Sequence, residues 1–554
     1  MSKIVIYQIF TRLFGNRNET CKPGGTIADN GCGKMNDITS SALRRIKALG
    51  ATHVWFTGVI RHATTTDYTA YGIPRQHPAV VKGRAGSPYA ITDYYDIDPD
   101  IAENVEKRMA EFEDLVDRAH RAGLKVIIDF VPNHVARQYK SVCKPSGVRD
   151  LGEDDDTNKH FSTTNNFYYC WGSAFEPYID TFHGEPIPYT EKPAKATGND
   201  HFDNHPGQND WYETVKLNYG VDYCDAGGRS VHFSPIPSTW DKMTEILLFW
   251  ASKGIDGYRC DMAEMVPVEF WTWAIDKVKY RFPDVNFIAE VYNPALYRSY
   301  VAAGFDYLYD KVGMYDCVRD VICGRRPASD ITMYWQQTDD IWQHTLYFLE
   351  NHDEQRIASS FFAGDGQCGV PALIACSLMR QNPFMVYFGQ EYGEKGMDSE
   401  GFSGIDGRTT IFDYWCVRSV AHGFFNRKKM TNGEKTLEKT YSTVLNIANK
   451  EKAAAEGAFY DLMYVNRHLP RPVYAFLRKA DKEMLIVVAN FSPSDTECGV
   501  VIPGHAFEQL LLREDSYEAK DLLSGDIQAM RLVPERQIDM MVPAWSGRIW
   551  KIEM

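Results

Sequence analysis

The chain has 554 residues, with 60 Lys and Arg against 74 Asp and Glu, so its formal net charge is −14. This length excludes a small disulfide-stapled domain, and the charge disfavours a nucleic-acid partner, which needs a Lys/Arg stripe to neutralise phosphates. A hydrophobic fraction of 44% and a charged fraction of 24% indicate a globular protein with a sizeable core.

The N-terminal segment and the cysteines suggest where the protein works. MSKIVIYQIF lacks the basic region, long apolar core and cleavage site of a secretory signal. No window approaches about 18 uninterrupted apolar residues, so we expect no membrane span and no membrane partner. The 12 cysteines are scattered without CxxC pairs, and some, such as Cys260 and Cys376, lie in apolar segments. We therefore expect a cytoplasmic protein with reduced thiols.

Short β-rich segments alternate with amphipathic segments over most of the chain. The segments with strand character are 3–10, 51–59, 125–131, 255–261, 286–292, 305–310, 345–350 and 382–389. Between them, apolar residues recur at helical spacing, as in 40–50, 109–123, 239–254 and 369–381. This alternation predicts an α/β fold, the parallel (β/α)8 TIM barrel, whose chemistry lies at the C-terminal ends of the strands.

Two segments depart from the barrel pattern. Between Val131 and Thr239 the chain spends roughly 100 residues where about two to six would join a strand to a helix, so we expect an inserted domain at 132–238. After a long polar helix at about 433–467, alternating strands predict a C-terminal antiparallel β-sandwich at 469–554. The barrel then comprises residues 1–131 and 239–468.

Four of the predicted barrel strands, the third, fourth, fifth and seventh, end in polar residues. Arg259 and Asp261 are two positions apart, so on a strand they share one face and can both point into the barrel mouth. Glu290 ends the fifth strand, and Asp353 follows the seventh. A salt bridge inside the barrel explains any one of these carboxylates equally well, but it does not explain all three at strand ends. We expect them to converge on one pocket.

Paired carboxylates suit the cleavage of glycosidic bonds. One acid protonates the leaving oxygen, while the other stabilises or captures an oxocarbenium-like centre. The proton donor needs a raised pKa and the nucleophile must stay ionised. Arg259 beside Asp261 supports an ionised nucleophile, and the apolar segment FIAEV around Glu290 suits a proton donor.

These residues resemble the signatures of glycoside hydrolase family 13, the α-amylase family, in the order in which that family has them. The segments are DFVPNH at 129–134, GYRCD at 257–261, AEV at 289–291 and ENHD at 350–353. The insertion resembles that family's domain B and the β tail its C-terminal domain, so the resemblance covers essentially the whole chain.

The resemblance also implies roles for individual residues. Asp261 is implied as the nucleophile, Glu290 as the general acid/base and Asp353 as the stabiliser of the transition state. The residues implied to hold the sugar at the cleavage subsite are Arg259, His134 and His352, with Tyr89 in the family-like stretch SPYAITDYYDIDP (87–99) as a stacking platform.

Two features depart from the family pattern. Family amylases often have Lys and His three and four positions after the nucleophile, whereas this chain has Glu264 and Met265, so acceptor preference does not transfer. The family's structural calcium is implied at Asn133, which matches its first ligand, and the Met265 backbone could supply a carbonyl, but no domain B aspartate can be assigned from the sequence. We expect no cofactor for the chemistry and leave a structural calcium open.

Other groups in the insertion carry weaker signals. His201, Asp203 and His205 have a spacing that suits a metal, but in a Gly/Pro-rich loop such residues more often serve turns and solvation. The insertion's aromatic residues suit a glucan groove and a small core equally well, namely Tyr168, Tyr169, Trp171, Trp211 and Tyr212.

The sequence thus predicts a retaining α-glucan hydrolase that cleaves α-1,4 bonds of malto-oligosaccharides or starch fragments through a covalent glycosyl-enzyme intermediate. A transglycosylase and a sucrose- or trehalose-acting member of the same family are the alternatives. A non-catalytic carbohydrate-binding protein is disfavoured, because Asp261, Glu290 and Asp353 are all present.

Overall fold

The computed structural model describes residues 3–178, 187–396 and 402–554. Eight parallel strands close into a barrel in chain order, and the first strand pairs with both the second and the eighth. The predicted (β/α)8 barrel is therefore confirmed. The strands are β1 Val5–Phe10, β2 His53–Thr57, β3 Lys125–Phe130, β4 Gly257–Cys260, β5 Asn286–Ala289, β6 Tyr307–Tyr309, β7 Thr345–Phe348 and β8 Phe384–Tyr387.

Helices surround the barrel because alternate strand residues point outwards. Tyr7, Val54 and Ile128 are buried in the large cluster formed with the helices, whereas Ile6, Trp55 and Ile127 belong to a separate cluster. The main helices are α1 Ser40–Leu49, α2 Arg108–Arg121, α3 Ser238–Ala251, α4 Val268–Arg281, α5 Tyr297–Ala302, α6 Asp316–Ile322, α7 Asp330–Gln337, α8 Val370–Leu378, α9 Asn432–Lys450 and α10 Lys452–Glu456. None of the helices in the described ranges is long and apolar enough to cross a membrane.

The insertion after β3 is built from very short antiparallel pairs. The pair that carries the site joins His134–Ala136 to Thr214–Lys216, with His134 opposite Lys216. Two more pairs in the described part of the insertion join Tyr169–Cys170 to Ala194–Lys195 and Val221–Asp222 to Ser230–Val231. A further hairpin between β2 and α2 pairs Ile60–His62 with Ile91–Ile97. These segments place the insertion beside the C-terminal ends of β3 and β4.

The C-terminal part is antiparallel, as predicted. Its six-stranded sheet has the order β9-β10-β11-β16-β13-β14, and β12 pairs with β15 in a second sheet. The strands are β9 Ala458–Asp461, β10 Val473–Ala480, β11 Glu483–Asn490, β12 Thr496–Val501, β13 Asp515–Asp521, β14 Ile527–Leu532, β15 Gln537–Val542 and β16 Ser546–Glu553.

The helix predicted at 433–467 is wrong in its second half. α9 ends at Lys450, α10 ends at Glu456, and β9 then pairs with β10, so the sheet begins at Ala458, ahead of residue 469. Gly457 explains the change, because a Cβ there would lie 2.8 Å from the backbone of Lys479. Only a residue without a side chain lets the segment pass this close to β10.

Arg478 joins this sheet to the barrel. Its guanidinium is fully buried and donates to the Leu378 carbonyl at the end of α8 over 3.1 Å, and to the Ala454 and Gly457 carbonyls over 2.8 and 2.7 Å. Burial lowers the pKa of Arg478 to about 9. The contact makes the packing of barrel and sheet specific.

Candidate active site

The three predicted catalytic carboxylates lie together in the barrel mouth. Asp261 directly follows β4, Glu290 directly follows β5, and Asp353 lies in the loop after β7. They line one cavity of about 380 Å³, together with the predicted sugar-binding residues Tyr89 and His134. The C-terminal ends of parallel strands meet at one face of a barrel, which explains why residues so far apart in sequence converge.

Arg259 organises this carboxylate cluster from below. Its side chain is buried inside the barrel, with Nη1 2.8 Å from Oδ1 of Asp261 and 3.3 Å from Oδ1 of Asp129. Nη2 lies 2.8 Å from Oε2 of Glu290. One guanidinium thus fixes Asp261 and Glu290 relative to each other, as its planar fork allows.

The two oxygens of Asp261 have different surroundings. Oδ1 accepts from Arg259, whereas Oδ2 is buried and has no hydrogen-bond partner among the described residues. Burial raises the pKa of Asp261 well above its usual range; Arg259 opposes this, and Glu290, Asp129 and Asp353 add to it. Because like charges in one site disfavour full ionisation, the cluster keeps a proton under conditions in which separate carboxyls would lose theirs.

Both oxygens of Glu290 are held by donors. The backbone N–H of Met262 donates to Oε2 over 2.7 Å, and the Tyr292 hydroxyl donates to Oε1 over 2.6 Å. Met262 has a left-handed backbone conformation with φ of 43°, which is uncommon for a residue with a side chain. This turn aims the N–H of Met262 at Glu290, so backbone strain is found where the site needs a fixed donor.

Asp353 lies next to the His352 ring. Nε2 of His352 is 3.0 Å from Oδ2 of Asp353 and 2.6 Å from the Tyr89 hydroxyl. Desolvation raises the pKa of Asp353, but His352, Arg259 and Arg408 together lower it to about 2. Asp353 is therefore ionised at neutral pH.

Tyr89 and His134 form the wall towards the insertion. The Tyr89 ring stacks on His352, with centroids 5.3 Å apart, and is 8% exposed. Burial, with Lys216 and Lys82, lowers the pKa of His134 to about 3, so its imidazole is neutral. The His134 ring contacts Trp211 at 5.2 Å between centroids. The structure thus brings all the predicted sugar-binding residues to the pocket, with Arg259 below it and His352 behind Tyr89.

The insertion's aromatic residues divide between core and surface. Tyr168, Tyr169 and Tyr212 are buried, with Tyr169 in the large cluster that includes the barrel core and Tyr212 in a small separate cluster. Trp211 lines the active-site cavity, whereas Trp171 is 68% exposed. Only Trp211 of this set is thus placed to meet a ligand at the carboxylates.

Glu264 does not point at the cavity as an acceptor-side group. Its Oε2 accepts the backbone N–H groups of Tyr292 and Asn293, over 3.1 and 3.0 Å. Glu264 therefore fixes the loop that carries Tyr292, the residue that binds Glu290.

The oxygen of Asn133, where the resemblance implies calcium, accepts a hydrogen bond from Nζ of Lys216. This Nζ is also 3.3 Å from the Met265 carbonyl, the other expected metal contact. A divalent cation cannot share this position with an ammonium group, so the residues present do not fit calcium.

The loop histidines make local contacts. Nε2 of His201 is 2.8 Å from Oδ1 of Asp203, and Nδ1 of His205 is 2.9 Å from the Glu176 carbonyl. In the described part of the chain, the one group of carboxylates and thiols compact enough for a metal is Asp93, Asp96 and Cys143, and arginines already pair with its carboxylates.

Several site residues were missed by the sequence reasoning. Tyr292, two positions after Glu290, could have been found by its spacing on an extended segment. Gln8 donates to Nδ1 of His352 over 2.9 Å, and Trp55 donates to Asp129 over 3.0 Å; both lie on strands that look purely structural in the sequence. Lys82 and Arg408 line the cavity from distant loops that carry no local signal.

Comparison with known proteins shows the family of the chain. The family profile of the α-amylase catalytic domain matches residues 8–292. α-Amylase 3 of Dictyoglomus thermophilum is 23% identical over 431 residues, covering 73% of this chain and 74% of that protein. Three other relatives are longer, and the aligned segments cover 53–57% of them.

Solved structures show the same fold over the whole chain. A maltogenic α-amylase of Thermotoga neapolitana aligns with 100% of this chain and 99% of its own, at 19% identity and a TM-score of 0.63. An α-amylase of Geobacillus thermoleovorans, solved with acarbose, aligns with 100% of this chain and 98% of its own, at 17% identity and a TM-score of 0.63. The chain belongs to the α-amylase family, glycoside hydrolase family 13, and is a glycoside hydrolase.

Proposed function

We propose that the protein is a retaining α-glucan hydrolase that cleaves α-1,4 bonds of malto-oligosaccharides through a covalent glycosyl-enzyme intermediate. The observation that carries this proposal is the Arg259 guanidinium, which binds Asp261 and Glu290 at the same time at the bottom of one cavity. Two carboxyls held by one guanidinium, one acting as nucleophile and the other as acid/base, are what a retaining glycosidase requires.

The roles follow from the contacts of each group. Oδ2 of Asp261 is buried and unpartnered among the described residues, so it is available to attack the anomeric carbon. Glu290 gives its proton to the leaving glycosidic oxygen as the bond from that oxygen to the anomeric carbon breaks. Glu290 then takes a proton from water, whose oxygen attacks the same carbon and releases Asp261 with net retention.

Asp353 and the aromatic wall act on the sugar. Asp353 is ionised and partly exposed to the cavity, so it can bind sugar hydroxyls that move closer as the ring flattens. Tyr89 supplies a stacking face, and the neutral His134 can donate or accept a hydrogen bond. The related Geobacillus enzyme was solved with acarbose, which supports an oligosaccharide ligand for this chain.

A linear oligosaccharide assay tests the proposal. Maltoheptaose should yield shorter oligosaccharides whose new reducing ends are initially α-anomers, as followed by NMR. Asp261→Asn should lower kcat on the order of 10⁴-fold or more, as expected for a nucleophile. Asp256→Asn is the matched control, because Asp256 precedes the same strand at the opposite end of the barrel.

An activated substrate separates the two carboxyls. Glu290→Ala should lose about 10²–10⁴-fold on maltoheptaose but far less on maltosyl fluoride, whose leaving group needs no protonation. Added azide should then give a retained glycosyl azide, since it needs no general base. An inverted product, or equal losses on both substrates, would contradict the assigned roles. Products longer than maltoheptaose would show that a sugar hydroxyl outcompetes water.

We also propose a reducing, cytoplasmic location. Cys260 and Cys317 are buried in the core, and burial raises the pKa of the Cys376 thiol to about 12, so these thiols are inert packing groups. Detection in a periplasmic or culture-medium fraction of producing cells would refute this location.

A further inference from the structure

Lys216 places a buried positive charge between the insertion and the barrel. It ends the strand Thr214–Lys216, and its side chain is 1% exposed. Its Nζ donates to Oδ1 of Asn133, lies 3.3 Å from the Met265 carbonyl and lies 2.6 Å from Oδ1 of Asp200. Nζ thus forms hydrogen bonds with Asn133 and Met265 and an ion pair with Asp200, so three oxygens surround the ammonium group.

We propose that the Lys216 ammonium takes the place of a structural metal ion. It ties the insertion to the barrel beside His134, and the stability of the protein is independent of calcium.

The three oxygens come from three separate parts of the chain. Asn133 follows β3, Met265 lies in the loop between β4 and α4, and Asp200 lies in a turn of the insertion with φ of 63°. The amide nitrogen of Asn133 donates to the Gly198 carbonyl over 2.7 Å, which aims its oxygen at Lys216. An amide oxygen, a backbone carbonyl and a carboxylate are ligands that calcium also prefers. These oxygens therefore form a cation site, and the Lys216 side chain occupies it.

Distance and charge both exclude a metal ion while Lys216 is present. A calcium ion bound to these oxygens at about 2.3–2.6 Å would overlap Nζ, which already lies among them. Among the described residues, Asp200 is the one carboxylate in contact with Nζ, and it balances one positive charge. A divalent ion next to the ammonium would add repulsion without further compensation.

The same contacts position the wall of the active site. His134 and Lys216 are opposite each other in the two-stranded pair, and Lys216 contributes to the lowered pKa of His134. Loss of the ammonium would free Asn133, the neighbour of His134, and shift the wall that His134 forms with Trp211. Lys216 is thus a positioning residue that does not itself line the cavity.

Thermal unfolding of the full chain tests the proposal. The wild-type Tm should be the same in excess EDTA and in excess CaCl2, and calorimetric titration with CaCl2 should show no binding that Asn133→Ala abolishes. Lys216→Ala should lower the Tm by roughly 5 °C or more, because a carboxylate, an amide oxygen and a carbonyl lose their contact with the ammonium group. Lys216→Ala should also increase the KM for maltoheptaose. Added calcium should reverse much of the loss in Tm and of the increase in KM.

Two further variants make the result specific. Lys216→Met fills the space without a charge, so its Tm should fall and should not respond to calcium. Lys195→Ala removes another lysine of the insertion, whose Nζ contacts the Arg137 carbonyl 3.2 Å away, and should gain no calcium response.

Three outcomes would overturn the proposal. Wild-type calcium binding that disappears in Asn133→Ala would place a metal at this site. An unchanged Tm of Lys216→Ala would show that the Lys216 ammonium does not stabilise the protein. A lowered Tm that calcium does not raise would show that a metal ion cannot replace the ammonium group. If Lys216→Ala does not fold, the calcium titration of the wild type and the Tm of Lys216→Met test the proposal instead.

Discussion

The Tyr292 hydroxyl donates to Oε1 of Glu290 over 2.6 Å. Burial raises the pKa of Tyr292 well above its usual range, and the neighbouring Glu290 adds to the shift. The hydroxyl therefore keeps its proton and acts as a donor to the carboxyl that we assign as acid/base. Tyr292 thus belongs to the catalytic machinery, although it lies outside the family signatures quoted above.

Tyr292→Phe should lower kcat/KM on maltoheptaose about ten- to hundredfold. Glu290 becomes charged as it gives up its proton, and a hydrogen bond to a charged group is worth about 1.5–3 kcal/mol, where 1.36 kcal/mol corresponds to a factor of ten. Steady-state kinetics provide the measurement, and Tyr280→Phe is the control, because Tyr280 is 90% exposed on α4. Equal kcat/KM values for Tyr292→Phe and Tyr280→Phe would show that the Tyr292 hydroxyl does not contribute to catalysis.

Glu264→Ala should reduce kcat through Tyr292. The substitution removes the acceptor of two backbone N–H groups, at a cost of about 1–3 kcal/mol in stability, and lets the loop that carries Tyr292 move. In a double-mutant cycle, Glu264→Ala should cost little further activity in the Tyr292→Phe background. Additive losses would mean that Glu264 acts independently of Tyr292, and Glu269→Ala on α4 controls for the loss of charge.

Arg259→Gln should shift the acidic limb of the pH profile of kcat/KM to higher pH. Burial raises the pKa of Asp261 and Arg259 opposes this, so the pKa rises further when the cation is removed. An adjacent opposite charge lowers a carboxyl pKa by about 1–3 units, so we expect a shift of at least about one unit. Asp261 must be ionised to attack, and activity is then lost at a higher pH. An unchanged limb would contradict the assignment of this pKa to Asp261.

Glu391→Gln should stabilise the protein at alkaline pH. Burial raises the pKa of Glu391 from 4.5 to about 8, and Tyr7 donates to its Oε1 over 2.5 Å. Between these two values the unfolded chain loses the proton while the folded protein keeps it, so stability falls as pH rises, by up to about 1.4 kcal/mol per unit. Glutamine mimics the protonated carboxyl and removes this penalty.

The pH dependence of Tm checks this prediction. The variant should exceed wild type above pH 8 and differ little near pH 5. The exposed Glu508→Gln should show no such trend. A parallel pH dependence of Glu391→Gln and wild type would mean that Glu391 is ionised in the folded protein.

The barrel and its three carboxylates could be predicted because their signals are local. A buried strand that ends in Asp261 or Glu290 is conspicuous in one sequence, since burial of such a group needs a reason. The prediction of a helix at 433–467 was wrong in its second half because long-range contacts, which leave no local signal, determine the structure there. The segment KAAAE at 452–456 is a good helix former, but pairing with Val473–Ala480 and the close approach at Gly457 decide the conformation that follows it.

Lys216 and Gln8 could not be predicted because their partners are distant. Lys216 is 83 positions from Asn133, and Gln8 is 344 positions from His352. The insertion has strands of two or three residues, too short to show any periodicity, so long-range contacts alone fix their places.

The order of strands in the C-terminal sheet has a consequence for synthesis of the protein. Strand β16, Ser546–Glu553, lies between β11 and β13, so two halves of the sheet that are made earlier are joined by a strand that is made later. Until residue 553 has left the ribosome, β11 presents an apolar open edge of the kind that pairs with other chains. We therefore expect nascent chains stalled before residue 546 to aggregate or recruit chaperones, whereas the full sheet closes over that edge.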